Sequence, residues 1–556
     1  MPPELQVEKE ISHNLLNQKI WPFLSGIRAL VVMDGRAWGG HFASFGAGDQ
    51  STDPNSGDDY FGLSEFIKTL TSHGPSLVQI LVTKAHRDTD VRGAADIENF
   101  RFNEHDLSVY DEIFLFGVAG PGETNAPMTD VELEALSTFM DGGGGIFATG
   151  DHEDLGVVLN GRVPRVRSMR KWYYPSQGPH GEPIAPPALG VNRIETTQPG
   201  HNETFVHFDN QSDDIPQPIR PRWYAESRSP FFIWLYPHPL LCSTQGAITV
   251  LPDHMHEGEV IVPADTTASL TFNGKTFTEY PTDASGNRVV PEIVAWGTVL
   301  AERDYSTEPA HVGDPGDVAN ARQFGVIGAY DGHRAGVGRV AVDSTWHHFF
   351  DINLIGDPIA PFPKTEGFTA SAEGLNTLSK IKAYYKNIAT WIARPGAQLS
   401  IFASSVWYCL RSQPLNMIIS NRREYNYHDM LNIGNLAIDK LFRIAPPCSI
   451  LVGLWRYFVE GPVKVIPPDP WAKSKEVPVV DPMLLLKVSL GSAIIELSKQ
   501  LPALEKHDAK EAGQLVIKTV QHGVNKGMQQ LGGDMVEHAI SLMKLANDLK
   551  GAAHME

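Results

Sequence analysis

The stretch GGGGIFATGDHEDLG, residues 142–156, decides the fold. Its glycines close one element, and GIFATG has the length and apolar content of a buried strand. Asp151-His152-Glu153-Asp154 follows where that strand stops. A short apolar run bounded by turn residues belongs to a sheet covered on both faces. The strands of such a sheet end together at one edge, where polar residues of the loops collect. A histidine among three carboxylates at a strand end therefore marks an edge equipped for chemistry.

Working outward, IRALVVMDG (27–35), VQILVTKAH (78–86) and YDEIFLFGVAG (110–120) read as further strands. Asp34 and His86 stand at strand ends like Asp151. YFGLSEFIKTLTSHG (60–74) has apolar residues at helical spacing and stops at Gly74. TDVELEALSTFMDGGGG (129–145) is a helix with Thr129 as N-cap and Glu132 at the capping-box position. This alternation predicts an α/β fold, a mostly parallel sheet flanked by helices. The sheet resumes with EIVAWGTVL (292–300), FGVIGAYDG (324–332) and GRVAVDSTWHHFFDINL (338–354). Residues 157–290, rich in Pro, Gly, His and aromatics, read as a long insertion over the sheet edge, with a hairpin at Asn273-Gly274.

After about 365 the pattern is helical. LNTLSKIKAYYKNIATWIAR, HDMLNIGNLAIDKLFRI, PMLLLKVSLGSAIIELSKQL and GDMVEHAISLMKLANDLKG repeat apolar residues at steps of three and four. The proline-rich segment 465–482 separates them. The expected division is an α/β domain over 1–365, interrupted by the insertion 157–290, and a mainly α-helical C-terminal domain over 366–556 that serves packing or homo-oligomerisation.

The chain of 556 residues carries a formal charge of -19, with 42% hydrophobic and 20% charged residues. That balance is globular, and it argues against nucleic acid or an anionic membrane surface as the main partner. One basic cluster, RVPRVRSMRK (162–171), reads either as a solvated loop beside the acidic site or as an anion-binding rim. Cys242, Cys409 and Cys448 have no metal or redox spacing, and their odd number leaves a disulfide framework incomplete. With no signal-peptide pattern and no apolar run long enough to span a bilayer, the expectation is a cytoplasmic protein in a reducing compartment, without a transmembrane segment.

Two further constellations carry chemistry. In LPDHMHEGEV (251–260) an extended chain turns His254 and His256 to one face, flanked by Asp253 or Glu257, which makes a metal half-site for zinc, manganese or iron. The competing reading is a hydrogen-bonded loop. In VDSTWHHFFDIN (342–353) a strand runs into His347 and His348. Adjacent histidines cannot both face one point in regular structure, so one serves the site while the other holds the loop, or both are structural. Asp351 is placed to orient an imidazole. The third constellation, at Asp151, has the strand, turn and helix start of a nucleophile elbow, with neither Ser nor Cys at the turn. A carboxylate there is a nucleophile, a general base, a metal ligand or a helix cap.

The order of YDEIFLFG, then FMDGGGGIFATGDHEDLG, then HPLL (238–241), then GAYDGHRAGVGRVAVDSTWHH (328–348) resembles the ThuA-like branch of the class I glutamine amidotransferase-like fold over about 26–355. The resemblance implies that fold and an association with sugar metabolism. True amidotransferases of the fold carry an elbow Cys and a downstream His-x-Glu. Here Asp151 or His152 takes the Cys position, which disfavours thiolate chemistry.

Three functional expectations follow. The leading one is a metal-dependent hydrolase or lyase acting on a carbohydrate or other small polar substrate. His254, His256, Glu257 and His347 or His348 would hold the metal. Asp151, His152 and Glu153 would contribute chemistry, with Asp34 and His86 as proton carriers or substrate contacts. Trp172, Tyr173, Tyr174 and Trp223 would form either an aromatic wall or plain core. The second is a non-catalytic ligand-binding or scaffold protein. The third is a metal-free hydrolase with Asp151 as nucleophile and a histidine as base.

Overall fold

The structure, a computed structural model, describes residues 26–35, 40–43, 62–72, 79–90, 93–120, 127–151, 154–172, 194–195, 217–229, 232–243, 245–252, 256–299, 303–304, 318–319, 322–356, 367–410, 419, 425–441 and 482–553. Eight strands form one sheet: β1 (Gly26–Met33), β2 (Gln79–His86), β3 (Glu112–Phe116), β4 (Gly145–Thr149), β5 (Arg220–Pro221), β6 (Glu292–Val299), β7 (Arg322–Tyr330) and β8 (Val340–Asp343). Their order is β2-β1-β3-β4-β8-β7-β6-β5. The first five in that order are mutually parallel, and β7, β6 and β5 each pair antiparallel with their neighbours. The mostly parallel α/β sheet expected from the apolar runs is therefore present, with an antiparallel extension on one side.

The strands are apolar throughout because both faces are covered. Period-two alternation sends Ala29, Val31, Met33, Phe114, Phe116, Phe147 and Ala341 into one core cluster. Leu30, Val32, Ile113, Leu115, Ile146, Ala148, Val340 and Val342 enter the other. The first face takes α1 (Ser64–Thr71), whose Phe66 meets Phe114, Phe116, Phe349 and Tyr385 edge-on at 5.2 to 5.6 Å. The second takes α2 (Asp130–Asp141), capped by the reciprocal Thr129 and Glu132 bonds that the sequence calls for. Burying each large apolar side chain stabilises by roughly 1.5–3 kcal/mol, so the two faces together hold the strand ends in place.

Past β4 the chain makes a short helix, α3 (Val157–Asn160), and then the insertion. Within it, Ser269–Phe272 and Lys275–Thr278 pair as a hairpin, and Asn273 and Gly274 both have positive φ, as the expected turn requires. Further on, Gly258 to Ile261 is stitched to the sheet and to Met169–Lys171. Val260 N–H donates to Gly325 O of β7, Ile261 N–H to Met169 O and Lys171 N–H to Glu259 O.

After β8 come α4 (Asp351–Ile355), α5 (Ala372–Ile392), α6 (Pro395–Leu410), α7 (Tyr427–Leu441), α8 (Pro482–Leu504) and α9 (Ala509–Ala553). The C-terminal part is helical, as expected, but its packing boundary lies later than residue 366. In α5, Leu378, Ile381, Tyr384, Tyr385, Ile388 and Ile392 belong to the core of the sheet. The second core begins inside α6, where Ala397 and Ile401 pack with the sheet and Phe402 onward pack with α7, α8 and α9. Among the described residues no helix is long and apolar enough to cross a membrane. The proline-rich segment up to Asp481 lies outside the described residues. Cys242 is disulfide-bonded. Cys409 is free in the helical core, where burial pushes its thiol up to about 12.

Candidate active site

The carboxyl ends of β1, β3, β4 and β8 meet at one edge. After β1, the buried Asp34 accepts from Val118 N–H at 2.7 Å and Ala119 N–H at 3.1 Å through Oδ1, which fixes the loop after β3. Burial raises the Asp34 carboxyl to about 6 against the pull of those two amides. Asp34 thus builds the wall of the edge. His86, at the end of β2, uses both ring nitrogens on backbone: Nδ1 accepts from Asp88 N–H at 3.1 Å and Nε2 donates to Gly40 O at 3.1 Å. Both nitrogens of this buried imidazole are thus engaged by backbone, which holds the ring against the loops after β1 and β2.

Asp151 stands two residues beyond β4 on a tight turn closed by its own N–H donating to Leu155 O at 3.1 Å. Gly156, with φ +89, lets that turn return, and its N–H donates to Ala119 O at 2.9 Å. The turn then enters α3, so strand, turn and helix follow in the order of an elbow. His152 and Glu153 lie outside the described residues.

The opposite wall comes from β8 and the turn after it. Thr345 Oγ1 accepts from His347 N–H and starts a single 3-10 turn, which points the two adjacent histidines at different partners. His347 Nδ1–H donates to Asn353 Oδ1 at 2.9 Å, and Nε2 lies 3.8 Å from Asp151 Oδ2. His348 Nδ1–H donates to Asp343 Oδ1 at 2.6 Å. The other oxygen of Asp343 accepts from Tyr384 OH at 2.7 Å, and Tyr385 OH donates to His348 O. Burial drives the Tyr384 phenol well above its ordinary value, so it remains a donor.

Asp351 is placed otherwise than expected. Its Oδ2 accepts from Ser64 N–H and Oγ–H, and its Oδ1 from Glu65 N–H at 2.8 Å. The first turn of α1 has orphan amides and an N-cap, Leu63, with no side chain to satisfy them, so Asp351 serves as a cap from across the chain. Asn353, two residues further, is the group that orients an imidazole.

Arg170 completes the edge. Its guanidinium is fully buried between two glycines: a Cβ on Gly150 would lie 2.1 Å from Nη1, and one on Gly258 would lie 2.4 Å from Nη2. The guanidinium lies 4.7 Å from the Trp172 ring centroid. Burial lowers its pKa to about 10, with the negative charges of Asp151 and Asp343 opposing that fall. Among the described residues, none of Nε, Nη1 and Nη2 has a hydrogen-bond partner. A buried donor left without an acceptor costs about 1–3 kcal/mol, and more when charged.

Of the expected metal ligands, Asp253 and His254 lie outside the described residues. His256 and Glu257 form a two-residue strand with Ile194–Glu195, and nothing is described of their side chains. Among the described residues, no group of three or more His, Cys, Asp or Glu is arranged to hold a metal. The aromatic wall is not assembled from described residues either: Trp172 is buried against Arg170, Trp223 is 50% exposed, and Tyr173 and Tyr174 lie outside the description.

Sequence reading missed Asp343, Asn353, Tyr384 and the particular place of Arg170. Asp343 ends a strand at the same edge as Asp34 and Asp151, and that signal was available. No protein-family model and no curated protein matches the chain.

Proposed function

We propose that the protein is a hydrolase of amidotransferase-like architecture in which Asp151 is a carboxylate nucleophile and His347 the base that releases the product. The observation that carries this reading is His347 Nε2 at 3.8 Å from Asp151 Oδ2, with Nδ1 held by Asn353. That separation exceeds a hydrogen bond and suits a water that attacks the Asp151 carboxyl carbon while giving its proton to Nε2. The strand order and the elbow turn at Asp151 support the architecture.

The chemistry balances in two steps. Asp151 Oδ attacks an electrophilic carbon of the substrate, and the bond to the leaving group breaks with its electron pair departing on that group. Water then adds to the Asp151 ester carbonyl as His347 takes a proton. The tetrahedral intermediate expels the alkoxide, which recovers that proton from His347, and the regenerated Asp151 loses its remaining proton to solvent. Substrate and water become an alcohol, the leaving anion and a proton.

A single turnover in H2(18)O, offered a panel of activated esters, sugar derivatives and alkyl halides, tests this. The expected result is the heavy oxygen in the Asp151 carboxylate and ordinary oxygen in the first product, read by peptide and product mass spectrometry. Heavy oxygen in product alone, with turnover abolished by a chelator, would instead assign the reaction to a metal-bound water.

A further inference from the structure

In the basic cluster 162–171, the charges are disposed of unequally. Arg162 pairs with Asp130, Arg165 with Asp141, Arg167 with Glu279 at 3.0 Å and Lys171 with Glu259 at 2.7 Å. Arg170, set against the elbow, has no acceptor on any of its three nitrogens among the described residues. The Met169–Lys171 segment is tied on both sides of it, through Met169 O and Lys171 N–H, to the Gly258–Ile261 strip. Gly258 N–H in turn donates to Ser344 O beyond β8 at 3.3 Å. The guanidinium is therefore fixed in place, and both glycines beside it are positions where any side chain would collide with it.

A fixed guanidinium with a forked set of free donors is the geometry that recognises an oxyanion by paired, charge-assisted hydrogen bonds. Asp151 and Asp343 act on it through their charge, without forming a hydrogen bond to it. They balance its charge but leave its donors unpaired among the described residues.

We propose that Arg170 is an anion-binding residue of the elbow site and that the substrate carries an oxyanion, a carboxylate, phosphate or sulfate, which this guanidinium receives. The word substrate rests on the hydrolase reading; the anion site stands on the geometry of Arg170 alone. The oxyanion is either the departing group or one that the product retains, and both present the same chemistry to the fork.

The test uses the full chain and three probes, sodium acetate, phosphate and sulfate, with chloride at matched ionic strength as reference. Melting temperature and calorimetric titration are the readouts. At least one oxyanion is expected to stabilise the wild type with saturation, and Asp151→Asn is expected to bind it more tightly because a neighbouring negative charge is gone. Preference for acetate identifies a carboxylate group on the substrate, and preference for phosphate or sulfate a tetrahedral one. Arg170→Met should bind about tenfold more weakly or worse. Arg170→Lys, which keeps the charge and loses the fork, serves if the methionine variant does not fold, and it should fall by a similar factor. Saturable binding that is unchanged in these variants, or stabilisation that follows ionic strength and not anion identity in both wild type and Asp151→Asn, overturns the proposal. Anion binding by Asp151→Asn without isotope in wild-type Asp151 leaves Arg170 standing and sinks the hydrolase; isotope without anion binding does the reverse.

Discussion

Two buried arginines stand at opposite ends of β8. Arg339 precedes the strand at the amino edge, donates through Nε to Asp331 at 2.7 Å and through Nη1 to Trp391 O at 2.8 Å, and lies 4.4 Å from the Trp391 ring centroid. A cavity of about 50 Å³ lies beside it, lined also by His238 and Arg334. Burial holds His238 neutral, its pKa lowered to about 3. Arg170, at the carboxyl edge, is as deeply buried and makes no hydrogen bond among the described residues. The same residue type in the same core is satisfied at one end and held in waiting at the other. Buried polar groups are normally paired; Arg170 departs from that rule at the carboxyl edge, as the two oxygens of Glu112 do at the start of β3.

The contrast breaks most severely at Asp151. If the carboxyl edge is the working one, Asp151→Asn lowers turnover roughly 10⁴-fold with unfolding unchanged, measured on the substrate that leaves isotope in Asp151. Equal turnover in that variant ends the comparison. A sharper form sets the arginines against each other in urea unfolding. Arg339→Met removes the bonds to Asp331 and to Trp391 O and is expected to cost roughly 3 kcal/mol, whereas Arg170→Met removes no hydrogen bond, only the charge that Asp151 and Asp343 face, and is expected to cost less. Comparable losses would make Arg170 an ordinary structural residue.

Smaller effects separate the two residues of α4. Asn353→Ala frees the His347 ring and should slow turnover about 10- to 100-fold, with a displaced acidic limb in the pH–rate profile. Asp351→Asn should leave turnover near wild type and instead change the pH dependence of stability. Burial raises the Asp351 carboxyl to about 7, above its value of 3.8 in the unfolded chain. The native state then holds a proton that the unfolded state has released. Its contribution is fully present below about pH 4 and is lost as pH rises through 7. Melting curves from pH 4 to 8 should show the wild type losing about 1 kcal/mol or more relative to Asp351→Asn across that window.

Strands were the most legible part of the chain, since a run such as IFLF or LVVM has few other uses, and the capping box of α2 was readable residue by residue. The edge chemistry was legible where polar residues follow strands directly, as Asp34 and Asp151 do. Asn353 was hidden behind Asp351 because the demand that captures Asp351 comes from α1, some 287 positions away. Tyr384 was hidden for another reason: at a buried position of an amphipathic helix, its ring is indistinguishable from core, and only the fold reveals where its hydroxyl ends. Arg170 was visible as charge but not as exception, because ion pairing of its neighbours is a property of the folded state.

The tandem Tyr384-Tyr385 has a consequence for the whole molecule. One hydroxyl grips Asp343 and the next the backbone of His348, from α5, which is followed by α6, where the core of the C-terminal half begins at Phe402. A displacement of α5 by that half would change how His348 and Asp343 are held. By thermodynamic reciprocity, whatever ligand draws the edge into a different arrangement must alter the grip of the helices by the same factor. The C-terminal half is in that sense a handle on the site.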